Sequence, residues 1–190
     1  LALRLRLLYL LLRLGLLLGT VLLGALLGGT ALLGTALLCA LLGEKPASVT
    51  GRGAGLSDEG LGRKVAAIER ALQVNRPHPE DSLDVLAKLG GFDIAGMCGL
   101  FLGGAVYRVP VLMDGFISAV AALCAVRLCP AAEKAIFASH VSAEPAGALV
   151  LRALGKKPLI TAELHLGEGT GAVAAIPLLD MACAVYRDSY

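Results

Sequence analysis

A chain of 190 residues that is 57% hydrophobic, 4% aromatic and 17% charged has the apolar material for one domain with a core, which excludes a disordered or heavily solvated chain. Its net charge of +2 is unevenly placed, because residues 1–43 hold Arg4, Arg6 and Arg13 and no acid, leaving 14 bases against 15 acids in the rest. No basic footprint for nucleic acid remains.

Residues 1–43 are about half Leu, and nearly all the rest is Ala, Gly, Thr and Arg, a low-complexity composition. The uncharged run 14–43 is long enough to cross a bilayer, with the three arginines on the cytoplasmic side. The same run also reads as an apolar strand at 16–23, a glycine-broken turn at 24–29 and a helix ending at Gly43, since interior parallel strands are continuously apolar. Its Gly, Ala and Thr content favours the second reading, so no membrane partner is expected.

From Glu44 onward the chain alternates strands, glycine turns and helices. A short strand is predicted at 47–50, then the turn Gly51-Arg52-Gly53-Ala54-Gly55. Ser57 caps a helix with Asp58 and Glu59 in its first turn; Leu61, Val65, Ile68 and Leu72 form its buried face, and it ends before Pro77. The loop 76–81 is too short to separate domains. A helix at 82–89 is stopped by Gly90-Gly91. The next, at 92–107, carries Gly96, Gly99, Gly103 and Gly104, which predict close backbone contact with a neighbouring layer. A strand at 109–113 breaks at Asp114-Gly115, followed by a helix at 116–128 closed by Pro130. A strand at 135–139 exits through 140–142 into a helix at 143–154 with Pro145 in its first turn. A strand at 159–164, a glycine turn at 167–171 and a helix at 172–186 complete the chain. Repetition of this unit predicts an α/β fold, a parallel sheet with helices on both faces.

Ligands of such sheets bind outside the carboxyl ends of the strands. Four exits carry candidate groups: Gly51 to Gly55, Asp114-Gly115, His140 to Ser142, and Gly167 to Gly171 with Glu168 inside. Glycine turns leading into helices expose backbone amides that suit phosphate, although neither turn is a dinucleotide or P-loop fingerprint, and tight-turn glycines read equally well. Glu168, flanked by glycines, is either a cleft-facing general base or an ordinary turn carboxylate. His140 faces a ligand or is a satisfied half-buried histidine, and Lys64 reaches a phosphate or is solvated. Ser142 lacks the G-x-S-x-G setting of a nucleophile. Five cysteines without a C-x-x-C and three widely spaced histidines argue against a disulfide framework or zinc cage and for a reducing, cytoplasmic compartment.

Six segments occur in one order: Gly51-Arg52-Gly53-Ala54-Gly55-Leu56, Leu61-Gly62-Arg63-Lys64, the stretch from Asp84 to Phe92, Pro110-Val111-Leu112-Met113-Asp114-Gly115-Phe116-Ile117-Ser118, Ser139-His140-Val141-Ser142-Ala143-Glu144-Pro145 and Leu166-Gly167-Glu168-Gly169-Thr170-Gly171-Ala172. Together they closely resemble the nicotinate-nucleotide:dimethylbenzimidazole phosphoribosyltransferase family over about residues 43–188. The resemblance implies a single Rossmann-like large domain over 1–190, family-like from 44, and a homodimer. It further implies transfer of phosphoribose from nicotinate mononucleotide to 5,6-dimethylbenzimidazole, a step of cobalamin assembly, with no cofactor and no metal. By the same resemblance Glu168 is the catalytic base, and Gly53, Lys64 and Ser142 lie around the phosphate and ribose.

The chain also departs from the family. Counting back without gaps from Leu41-Leu42-Gly43-Glu44 puts the family's G-E-M-G-I-G-N-T-T on residues 24–32, where Ala25 replaces the acid. The family's amino-terminal half, which supplies much of the benzimidazole pocket, has no counterpart. The ungapped register predicts a family-like backbone with Leu, Ala, Gly, Thr and Arg in place of larger or polar residues. Glu168 therefore supports an enzyme, whereas Ala25 supports a non-catalytic relative that binds a nucleotide or aromatic base, or a structural partner.

Overall fold

The computed structural model describes residues 29–53, 55–164 and 169–189. The strand expected at 16–23 and the turn up to residue 28 lie outside the described residues. Helix α1 spans Gly29–Leu42 and is apolar all round, which suits its buried run from Gly34 to Leu41. Gly43, at φ 71°, ends it by donating its N–H to the Cys39 carbonyl at 2.9 Å.

The strand expected at 47–50 is instead one helical turn, α2, Pro46–Val49. Pro46 presets the first helical φ, and the Ser48 and Thr50 hydroxyls donate to the carbonyls of Lys45 (2.8 Å) and Pro46 (2.6 Å). These local bonds hold four residues that carry no ladder partner. Helix α3, Asp58–Asn75, follows its expected course: Ser57 Oγ accepts the Gly60 N–H at 3.2 Å, and Ile68 is buried on the apolar face. Helix α4 spans Ser82–Leu89, capped by Asp81, and α5 spans Phe92–Tyr107. Of the glycines in α5, only Gly104 meets another layer, where a Cβ would run into Val111 and the Val109 carbonyl. Gly96, Gly99 and Gly103 face open space, so the close contact expected of them is absent.

Strand β1, Val111–Met113, pairs in parallel with β2, Ile136–Ala138. Between them run α6, Phe116–Leu128, and a 3-10 turn, Pro130–Ala135. Helix α6 is the centre of the core. Val120, Ala121, Ala122, Cys124 and Ala125 have no exposed surface, and α1, α4, α5 and α7 pack around it. Its alanines let these neighbours approach closely. The architecture is therefore α/β, mostly helical around a small parallel sheet.

Helix α7 is Gly147–Ala153, shorter than expected. Ser142 Oγ accepts the Glu144 N–H at 3.3 Å and the Glu144 carbonyl accepts the Gly147 N–H at 2.8 Å. This turn holds Pro145 outside the helix. The strand expected at 159–164 is reduced to a single parallel bridge between His140 and Ile160. Pro158 has no N–H to donate and Glu163 adopts a left-handed φ of 49°, so no extended run forms. Helix α8, Thr170–Ser189, begins two residues earlier than expected and ends later. Among the described residues it is the one helix long and apolar enough, over Thr170–Asp188, to cross a membrane by length and composition. It also carries Pro177, Asp180 and Arg187.

Burial pushes the Cys39 thiol up to about 11, with Glu44 adding to the effect, and the Cys98 thiol up to about 12. Burial raises Cys124 as well, helped by neighbouring Cys98. A thiol reagent at pH 8 is expected to label exposed Cys183 first and to reach Cys98 and Cys124 only on unfolding. Above the ordinary thiol value of 9.0 the unfolded chain releases protons that folded Cys98 retains up to about 12, so stability falls as pH rises through that window. Urea midpoints measured from pH 8 upward should decline, and less steeply in Cys98→Ala.

Candidate functional site

Both strands leave at the same edge of the sheet. The chain exits β1 through Asp114-Gly115 and β2 through Ser139-His140. Ser139 N–H donates to the Met113 carbonyl at 3.1 Å, and its own carbonyl accepts the Ile160 N–H at 2.8 Å. Asp114, His140 and the segment after Ile160 are thus gathered at the carboxyl edge, where such folds place ligands.

Two groups of contacts build this edge. In the first, Lys64 Nζ on α3 donates to the Gly51 carbonyl at 2.9 Å. Gly51 is pressed against the side chains of Glu144 and Pro145, so closely that a Cβ would overlap both. The Gly51 turn, with exposed Gly53 at φ 55°, is thereby fixed between Lys64 and the turn that begins at Ser142. Arg52 is engaged within the loop, donating to the Leu56 carbonyl at 2.9 Å and pairing with Asp58. That guanidinium holds the Asp58 carboxyl below its ordinary value.

In the second group, the Asp114 carboxylate accepts N–H bonds from Gly169 at 3.2 Å and Ala172 at 3.0 Å, at the start of α8. His140 is buried beside it, with Nδ1 3.9 Å from Asp114 Oδ1 and 3.0 Å from Ser139 Oγ. Gly171 packs against the imidazole, where a Cβ would collide with ring atoms.

Of the four residues singled out by sequence, Lys64, the Gly53 turn and the Ser142 turn come together, while Glu168 lies outside the described residues. The Asp114-Gly115 exit was among the candidates, but the bonds of Asp114 to the start of α8 were not foreseen. Their signal was nonetheless present: Gly169 and Ala172 sit where a helix start uses capping side chains, and neither has one to offer.

The result is an α/β protein whose glycine turns, helix starts and one lysine ammonium meet at the carboxyl edge of parallel strands. The phosphoribosyltransferase family model DBI_PRT matches residues 18–189, and the chain belongs to that family. A protein of Acetivibrio thermocellus named nicotinate-nucleotide--dimethylbenzimidazole phosphoribosyltransferase is 51% identical over 148 residues, covering 78% of this chain and 42% of its own length. A protein of Chloroflexus aggregans with the same name is 52% identical over 146 residues, covering 77% and 41%. The crystal structure of CobT from Thermus thermophilus matches with a TM-score of 0.76 at 43% identity, covering 81% of this chain and 46% of that one. The chain thus spans less than half the length of the relatives it matches.

Two glycine substitutions are expected to act in opposite directions. Gly171→Ala forces a methyl into the His140 ring and should cost about 1–3 kcal/mol in urea unfolding. Gly99→Ala, in open space within α5, should stabilise by about 0.5–1 kcal/mol.

Proposed function

We propose that this chain carries the phosphoribosyl-transfer portion of an enzyme that moves phosphoribose from nicotinate mononucleotide to 5,6-dimethylbenzimidazole. The products are α-ribazole 5′-phosphate and nicotinate, for cobalamin nucleotide-loop assembly. The observation that carries this reading is the meeting of Lys64, the Gly51–Gly53 backbone and the Ser142 turn at the carboxyl edge, beside a helix that starts two residues after Glu168. Relatives about half identical to the chain bear the name of that activity.

In this reading the mononucleotide phosphate lies against the Gly53 turn, where the Lys64 ammonium and the start of α3 favour its charge, and Ser142 borders the ribose. Glu168 takes the N–H proton of the benzimidazole. The other ring nitrogen attacks C1′ from the face opposite nicotinate. The C1′–N bond to nicotinate breaks and its electron pair leaves with nicotinate, so the anomeric centre inverts to α. No cofactor or metal is called for.

The proposal includes one Rossmann-like large-domain unit, a cytoplasmic setting and a homodimer. The open face of α5, with Gly96, Gly99, Gly103 and exposed Leu100 and Tyr107, supports a covered surface. Sedimentation of the protein at its natural length as a dimer is the expected result, and a monomer at micromolar concentration removes that part. A second reading, a non-catalytic binding relative, is favoured by Ala25 in place of the family's acid.

The two readings separate in an assay of α-ribazole 5′-phosphate formation by the protein at its natural length. Glu168→Gln keeps size and one acceptor but takes no proton, so turnover should drop about 100- to 10,000-fold while mononucleotide binding is retained. Wild-type turnover in this variant ends the assignment of Glu168. Absence of turnover in the unmutated protein selects the non-catalytic reading. The 190-residue chain by itself is expected to be inactive or nearly so.

A further inference from the structure

A carboxylate that leaves bulk water gives up hydration, and the loss is offset only where donors replace it. Two carboxylates near the carboxyl edge find such donors within the protein: Asp114 in the amides of Gly169 and Ala172, and Asp58 in Arg52. Among the described residues the Glu144 carboxylate finds none. Its side chain is half-buried and lies across the Gly51 backbone, so closely that a Cβ on residue 51 would overlap Oε2 and press on Cδ. Lys64, the cation bonded to Gly51, meets the carbonyl of that residue instead. The Glu144 backbone is nevertheless pinned from both sides, its N–H donating to Ser142 Oγ at 3.3 Å and its carbonyl accepting the Gly147 N–H at 2.8 Å. A fixed carboxylate with acceptor capacity to spare therefore stands between the Gly51 turn and the Ser142 turn.

We propose that Glu144 is a ribose-binding residue: its carboxylate accepts hydrogen bonds from the ribose hydroxyls of nicotinate mononucleotide and selects that sugar over one without them. The inference rests on the phosphoribosyl-transfer reading and deepens it by naming the group that reads the sugar. Three features support it. An ionised carboxylate only accepts hydrogen bonds, so it repels a phosphate and suits a hydroxyl, and dinucleotide-binding sheets use an acidic side chain on ribose in the same way. Glu144 shares its turn with Ser142 and touches Gly51, whose carbonyl holds Lys64, so a sugar joined to a phosphate beside Lys64 has this carboxylate next to it. The absence of a side chain at Gly51 is what admits the carboxylate to that place, and the two pinned backbone bonds let it act without first being ordered.

The test titrates the protein at its natural length, unmutated and as Glu144→Gln and Glu144→Ala, with nicotinate mononucleotide and with its 2′,3′-dideoxy analogue. The unmutated protein should bind the mononucleotide about 10- to 100-fold more tightly than the analogue. Glu144→Ala should lose most of that preference by weakening the mononucleotide alone. The analogue, which keeps the phosphate and the nicotinate ring, should bind this variant no more weakly than the unmutated protein, because only a negative charge has been removed near its phosphate. Glu144→Gln retains one acceptor oxygen and should fall between the two. The comparison is a double-mutant cycle between side chain and hydroxyls, and a role confined to shaping the Gly51 turn would weaken both ligands alike. If Glu144→Ala fails to fold, Glu144→Gln carries the same comparison. No preference in the unmutated protein, an undiminished preference in a folded variant, or equal weakening of both ligands each overturns this inference alone. Binding of neither ligand by the unmutated protein overturns the phosphoribosyl-transfer reading and this inference with it.

Discussion

Because β1 and β2 run parallel, with Val111 opposite Ile136 and Met113 opposite Ala138, the chain cannot return through a tight turn and must cross the sheet between them. Helix α6 and the 3-10 turn make that crossing, which is why α6 lies at the centre with its alanine-rich surface enclosed. The same constraint delivers Asp114 and His140 to one edge, although they are far apart in sequence. Everything the site offers follows from that shared edge, because α3 presents Lys64 to it and the bridge at Ile160 leads the chain into α8 beside it.

The two glycine turns at the edge are not equivalent. At the start of α8 the amides of Gly169 and Ala172 are already donated to a carboxylate, and a negative charge stands there. A phosphate brought to that place would meet repulsion and find those donors occupied. The Gly51 turn differs in having a lysine ammonium on its backbone carbonyl and an arginine within it paired with Asp58, beside the Glu144 side chain, and in leaving Gly53 exposed. Under the proposed function this asymmetry divides the labour. Anion binding falls to the turn before α3, and proton handling to the turn before α8.

Much of this was legible in the sequence where one local rule dominates. Ser57 followed by Asp58 and Glu59 marked the start of α3, and the four-three-four spacing of Leu61, Val65, Ile68 and Leu72 gave its inner face. Asp114-Gly115 marked the end of β1, and the apolar run 116–128 gave α6. What was misread depended on information outside the window. Pro46 to Val49 has a strand-like composition but no partner strand, so hydroxyl-to-carbonyl bonds decide for a helical turn. The glycines of α5 were expected to meet a layer that only Gly104 meets. Pro145 reads as a first-turn proline, yet it stays outside α7 because the bonds from Glu144 to Ser142 and from Gly147 to Glu144 make a turn before the helix. At the site, the pairing of Lys64 with the glycine turn spans a short stretch of chain and was foreseeable. The bond between Asp114 and the start of α8 exists only once the parallel sheet has formed.

Sterics and hydrogen bonding at the start of α8 act on different parts of the molecule. A side chain at position 171 presses on His140, whose ring lies 3.0 Å from Ser139 Oγ. Ser139 in turn bonds through its backbone to Met113 on one side and Ile160 on the other. The clash is thus transmitted into the sheet, and its cost is global stability. Loss of the Asp114 oxygens leaves those sheet bonds intact and releases only the amides of Gly169 and Ala172. The residues of α8 described as buried, Gly171 and Ala175, both lie in its first two turns. At its start, the Asp114 carboxylate holds two amides while Gly171 packs against the His140 ring, so the two kinds of contact can be perturbed separately.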